Sequence, residues 1–153
     1  MEYRPSKARR RTIRLATYHT TIPLKTKGNC DIIDITTDVE KCVAHSGLRM
    51  GLCNVFCAGS TGSVTTIEFE EGLLKDFPVA MERIAASDAF YQHQLKWHDG
   101  NGHSHIRASI LGPSLTIPFA DGKPCLGTWQ QVVFVDFDNV SRNRLLEVII
   151  IGG

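Results

Sequence analysis

RASILGPSLTIPFADGKPCLGTWQQVVFVDF, residues Arg107–Phe137, is the stretch whose reading decides the architecture. Gly112-Pro113 and Asp121-Gly122 are turn-forming pairs that divide it. Between and after them lie runs rich in β-branched and aromatic residues, which give three strand candidates: Arg107–Leu111, Ser114–Phe119 and Leu126–Phe137. Connections this short join antiparallel neighbours, because parallel strands need a long crossover.

Working outward, Arg144–Ile151 reads as the last strand, and Thr12–Tyr18, Cys30–Ile35, Met50–Ala58 and Val64–Phe69 as earlier ones. The turn Gly59-Ser60-Thr61-Gly62 makes the pair around it a candidate hairpin. Two segments read as helix. Thr37-x-x-Glu40 has the form of a capping box opening DVEKCVAHS, which Gly47 would end. Glu71–Ala86 is the other, with Pro78 expected to divide it. The expected class is α+β, one compact domain of mostly antiparallel sheet or sandwich with two helical insertions.

A chain of 153 residues is long enough to bury a core in one domain. The net charge of +1 conceals an asymmetry. Six basic residues lie within the first fourteen, against Glu2 alone, so the remainder is acidic. Residues 1–10 read as a basic tail before a single domain over 11–153. The arm lacks interleaved aromatics, so nucleic acid is not the expected partner. The start of the chain has no apolar stretch of the secretory type, and LLEVIIIGG is too short to span a bilayer. A cytoplasmic protein without a membrane anchor is the expectation. The five cysteines are odd in number and form no CxxC, which argues against a zinc ribbon and against a disulfide framework. Cys53 and Cys57 would share one face of a strand as buried free thiols.

Four of the six histidines fall within QHQLKWHDGNGHSHIRAS, residues Gln92–Ser109, together with Asp99. Histidine is both the commonest metal ligand and the usual proton carrier near neutral pH. If the segment is a strand, His103 and His105 point to the same face, and His93 or His98 can complete a three-histidine set. Acid–base or hydrogen-bonding roles remain the alternative. AGSTGS offers backbone N–H groups to an anion through Ser60, Thr61 and Gly62, although it lacks the rest of a P-loop. TTIEFEEG places Glu68 on an acidic strand face, where it can serve as a base. Trp129 can stack on a flat ring, Gln130 can read ring nitrogens, and Arg142 and Arg144 can clamp a phosphate.

Taken together, Tyr91-x-His93, NGHSHIRASILGPSLTIPF at Asn101–Phe119, LGTWQQ within Gly122–Gln131 and Arg142-x-Arg144 resemble the YjbQ family, over about Arg11 to Gly152. The resemblance implies a β-sandwich-like body, a homotrimer, and a site built around histidines that can hold a divalent metal, zinc or magnesium. It further implies a secondary thiamine-phosphate synthase activity, joining a pyrimidine pyrophosphate to a thiazole phosphate, with some other small phosphorylated compound as the main substrate. Matched by position, His93, His105, Asn101 and Glu68 carry over from the family, and His93, His105 and Glu68, with Asp99 from the histidine segment, are the candidate catalytic groups. The candidate substrate-binding set is Ser60, Thr61, Gly62, Asn101, Trp129, Gln130, Arg142 and Arg144, and the candidate metal ligands are His93, His103 and His105. A metal-assisted hydrolase using the same histidines, or a non-catalytic binding trimer, is the alternative. The sequence departs from the family pattern at three places: Gly59 stands for the His of H-T-T, Ile67 for an Asn, and His103 for an acidic residue.

Overall fold

A computed structural model describes residues 14–153. The basic tail, residues 1–10, therefore lies outside the described residues. Eight strands and four helices follow in the order β1 (Ala16–Lys25), β2 (Asp31–Asp34), α1 (Thr36–His45), β3 (Met50–Cys57), β4 (Gly62–Ile67), α2 (Glu71–Ile84), α3 (Gln94–Trp97), α4 (Gly102–Leu111), β5 (Ser114–Ala120), β6 (Lys123–Pro124), β7 (Gln131–Asp136) and β8 (Asn143–Gly152). They form a five-stranded sheet, β1-β8-β3-β5-β6, and a three-stranded sheet, β2-β7-β4. Every pairing is antiparallel. The α+β class holds.

Two apolar layers hold the sheets together. Between them, Cys53, Val55, Ile117, Leu146, Val148 and Ile150 of the larger sheet meet Val64, Val132 and Phe134 of the smaller, with Val39 and Val43 of α1 closing one end. On the far side of the smaller sheet, Val133, Val135 and Phe137 pack under Met81 of α2 and Ala108 of α4. This explains two sequence patterns. β8 alternates because its outer face is exposed, whereas β7 is buried on both faces and reads as a continuous apolar run. All five cysteines are free, and four are buried. Burial pushes the Cys53 thiol up to about 12, so it packs as a small inert hydrophobe.

Several expectations need correction. β3 and β4 are not a hairpin: β3 pairs β5 and β8 in one sheet, and β4 pairs β7 in the other. The Gly59–Thr61 loop instead carries the chain from sheet to sheet. The capping box at Thr37 is absent. Helix α1 starts two residues earlier, at Thr36, and Asp34 Oδ1 accepts from the backbone N–H of Thr36 at 2.8 Å. The helices number four rather than two, because the histidine segment and Arg107–Leu111 are helical. In α4 the buried positions Ser104, Arg107 and Ala108 repeat at helical spacing but are small or polar, so the apolar pattern is mute. Arg107 is buried there because its Nε and Nη2 donate to the Ala85 carbonyl at 2.9 and 2.6 Å and Nη2 pairs with Glu82 at 2.7 Å.

Pro78 does not divide α2, which runs unbroken through it. Phe77 stacking on Phe137 at 6.4 Å and the buried Met81 anchor the helix on both sides of the proline. The proline still removes one helical hydrogen bond. Replacing Pro78 with Ala is expected to stabilise the protein by about 1–3 kcal/mol, read as a raised urea midpoint. An unchanged or lower midpoint would show that the proline has a compensating role.

Candidate functional site

Three segments that are distant in sequence meet at one end of the smaller sheet. They are the Gly59–Thr61 loop, the stretch from His93 to His105, and the connection from β7 to β8. They line an open cavity of about 420 Å³, walled by Gly59, Ser60, Thr61, His93, Trp97, Asp99, Asn101, His105, Asp138, Arg142 and Arg144.

The floor is a charge network. Arg144 donates from Nε to Asp136 Oδ2 at 2.8 Å and from Nη2 to Asp136 Oδ1 at 2.7 Å, a bidentate pair on a carboxylate with no exposure. Its Nη2 also donates to Thr61 Oγ1 at 2.8 Å, and Thr61 in turn donates to Asp138 Oδ2 at 3.1 Å. Asp138 Oδ2 further accepts from Arg142 Nε at 2.9 Å. Burial works against the Asp138 charge, yet the hydrogen bonds from Arg142 and Thr61 and the two guanidinium charges outweigh it and hold the carboxyl below its usual range. Arg142, about half exposed, is thus anchored through Nε, and among the described residues no hydrogen bond engages its terminal nitrogens. Among the described residues, no hydrogen bond engages Nη1 of Arg144. A Cβ on Gly59 would lie 3.2 Å from that nitrogen, so the glycine keeps it open.

The opposite wall is a cluster around Asn101. Its amide nitrogen faces the Asp99 carboxylate at 3.0 and 3.2 Å, His93 Nε2 at 3.2 Å and His105 Nε2 at 3.3 Å, the orientation that gives the amide group its partners. The two imidazole centroids lie 4.4 Å apart, and His93 Nε2 is 3.6 Å from Asp99 Oδ1. One amide has only two protons, and four acceptor atoms surround them. The cluster therefore has a surplus of acceptors, which an additional proton or a cation would satisfy. Asn139 fixes this wall to the floor by donating to the Asp99 carbonyl at 2.7 Å.

Of the residues singled out from sequence, Ser60, Thr61, His93, Asp99, Asn101, His105, Arg142 and Arg144 share this cavity. Five others do not line it, nor does His98, which ends α3 as its C-cap. His103 is on a helix, where two residues span about 200° rather than returning to the same face. It is buried beside Tyr91 with Nε2 3.3 Å from Ser104 Oγ, and burial together with Arg107 holds its pKa below the ordinary value. His103 therefore does not share the surroundings of His93 and His105. Glu68 lies past the end of β4, exposed, and its neighbour Glu70 caps α2. Gly62 lies beneath Phe134, where a Cβ would be 2.7 Å from the ring. Trp129 is 70% exposed, in a turn that Gln130 closes by accepting from Gly127 N–H at 3.0 Å and donating to Thr66 at 3.3 Å.

The sequence reading missed Asp136, Asp138 and Trp97. A signal for the first two was present: Asp136-x-Asp138 precedes Arg142-x-Arg144 with matching spacing, as paired charges would require. Trp97 carried no such signal, since its place in the cavity depends on the helix it ends.

Comparison with known proteins agrees with the fold. The family model described as UPF0047 protein YjbQ-like matches residues 20–153. A UPF0047 protein of Methanothermobacter thermautotrophicus is 38% identical over 135 residues, covering 88% of this chain and 92% of that protein. One from Archaeoglobus fulgidus is 37% identical over 125 residues, covering 82% and 95%. Among solved structures, a YbjQ-like protein of unknown function from Sulfolobus solfataricus superposes with a TM-score of 0.87 at 31% identity, covering 92% of this chain and 100% of that one. A hypothetical protein from Aeropyrum pernix does so with a TM-score of 0.82 at 29% identity, covering 89% and 99%. This chain belongs to the UPF0047 YjbQ-like family.

Proposed function

We propose that the protein is an enzyme acting on a small phosphorylated compound, of the transferase type that releases pyrophosphate. The supporting observation is the meeting, in one cavity, of the cluster of His93, His105, Asp99 and Asn101 with an anchored arginine pair. In the reaction that the family resemblance implies, the bond between a pyrimidine methylene carbon and its pyrophosphate oxygen breaks. The carbon is bonded instead to the ring nitrogen of a thiazole phosphate. Pyrophosphate departs with the bonding electron pair, and the thiazole becomes a thiazolium cation. Arg142 and Nη1 of Arg144 face the charge that develops on the leaving group. The His93–His105–Asp99 cluster supplies a proton to a pyrophosphate oxygen.

A divalent cation suits the chemistry of this cluster, although among the described residues no three His, Cys, Asp or Glu side chains stand ready-made as a cage. The acceptor surplus around Asn101 is the reason: His93, His105 and Asp99 would hold the ion, with Asn101 turned to present Oδ1. When bound, it would neutralise charge on the phosphate groups. The same surplus favours, as a second reading, a metal-assisted hydrolase. Phosphate release without an acceptor substrate, dependent on added metal, would distinguish that reading from transfer. A homotrimer is also part of the proposal, supported by the exposed apolar outer face of the larger sheet, Met50, Leu52, Ile149 and Ile151.

The test is pyrophosphate release from a pyrimidine pyrophosphate and a thiazole phosphate. Arg142→Ala is expected to lower it by about tenfold or more through loss of a charge-assisted contact. Glu68→Gln and Trp129→Phe, away from the cavity, are expected to stay within about twofold of wild type, since neither touches the reacting groups. A strong loss in either of the latter two, with Arg142→Ala unaffected, would place the reaction elsewhere.

A further inference from the structure

The cavity has one wall that neither the charge network nor the histidine cluster uses. Trp97, the last residue of the one-turn helix α3, lines it and is 60% exposed. The ammonium of Lys96 lies over its ring, 4.9 Å from the centroid, and a ring has a second face. The position is fixed by the backbone. His98 takes a left-handed conformation, φ 55°, and donates its N–H to the Gln94 carbonyl, ending the helix at the tryptophan. Gly100 turns the chain again with φ 67°, where a side chain is strained. The bond from Asn139 to the Asp99 carbonyl then ties this turn to the connection that carries Arg142. The backbone that carries the indole is thus tied to the connection that carries Arg142.

From this arrangement we infer that Trp97 forms an aromatic subsite, which selects ligands carrying a planar ring beside their phosphate. A flat heterocycle lies against the indole while its phosphate reaches Arg142 and Arg144, and the bond between ring and phosphate faces His93 and His105. The inference rests on the anion-binding role proposed for the arginines. It adds what that role cannot supply, a preference for the organic part of the ligand. Trp129, the chain's other tryptophan, is not part of it.

The test uses the Trp129→Phe protein, in which Trp97 is the only tryptophan. Inorganic pyrophosphate, ribose 5-phosphate and uridine monophosphate are titrated by calorimetry and by tryptophan fluorescence. Uridine monophosphate is expected to quench Trp97 and to bind about tenfold or more tightly than ribose 5-phosphate, the range of a base stacked on an aromatic side chain. Adding Trp97→Ala should erase that preference and leave pyrophosphate affinity within about twofold. Because the indole is exposed, the variant should keep its circular dichroism and urea midpoint. Equal losses for all three probes, or a preference that survives Trp97→Ala, would overturn the inference. If pyrophosphate binds through Arg142 but the ring brings no gain and no quench, the aromatic subsite fails while the anion site stands. If Trp97→Ala is selective but Arg142→Ala changes nothing, the anion assignment fails instead. If none of the probes binds, both are wrong.

Discussion

Replacing His105 with alanine is expected to lower turnover by about 10²–10⁴-fold, the usual loss when a positioned proton carrier is removed. Its Nε2 meets the Asn101 amide at 3.3 Å, and its ring lies 4.4 Å from that of His93. The side chain is half-buried on the first turn of α4 and, among the described residues, makes no other hydrogen bond, so its removal should leave the fold intact. Asn101 keeps Asp99 and His93 as partners. His93→Ala should give a loss of similar size. The double variant should be little worse than either single one, because groups that share one proton act as a unit. Losses that multiply in the double variant would mean two independent roles. Full activity in His105→Ala would remove the cluster from the chemistry.

The largest expected effect on stability is at Arg144. Its guanidinium is paired bidentately with Asp136, which is fully buried. Taking away one partner of a buried pair leaves the other charge in a poor environment, a loss of about 3–5 kcal/mol. Arg144→Ala should therefore move the urea midpoint far down. Arg144→Lys should recover only part, since an ammonium cannot make the two parallel bonds. Arg142 makes a useful contrast. It is anchored by one bond and half exposed, so Arg142→Ala should alter stability by about 1 kcal/mol or less while weakening anion binding. If both alanine variants were equally stable, the division between a floor anchor and a ligand clamp would be wrong.

Asp138 adds a dependence on pH. Its carboxyl is held below the ordinary range of about 3.9. A depressed carboxyl stabilises the fold at pH values above its unfolded pKa, and that contribution disappears as pH falls through the folded value. Asp138→Asn should make the acid limb of the stability profile shallower. An unchanged acid limb would show that the Arg142 and Thr61 bonds do not couple to folding.

The fold was legible wherever one face of an element is wet and the other dry. β8 and β5 alternate visibly, and β7, covered on both sides, shows as an unbroken apolar run. Legibility failed at α4. Its buried face is made of Ser104, Arg107 and Ala108: Arg107 is held by hydrogen bonds to the Ala85 carbonyl, and the other two are too small to mark an apolar stripe. That failure passed directly to the site. Reading a strand put His103 and His105 on one face, whereas the helix sends them to different surroundings. Most other site residues were recognisable by their chemical type, but Trp97 was not, because a tryptophan signals nothing until the helix and turn that place it are known. The hairpin error has a similar origin. The Gly59–Thr61 loop can join two strands in one sheet or pass between two sheets, and only the partners of β4 decide which.

The most direct test of the account is pyrophosphate release from a pyrimidine pyrophosphate in the presence of a thiazole phosphate, measured side by side for wild type, His105→Ala and Arg142→Ala, with folding and particle size checked for each. The account predicts release by wild type, a loss of about 10²-fold or more in His105→Ala, and about tenfold or more in Arg142→Ala. Release that continues undiminished in both folded variants would contradict it, and so would a wild-type rate no greater than that of buffer.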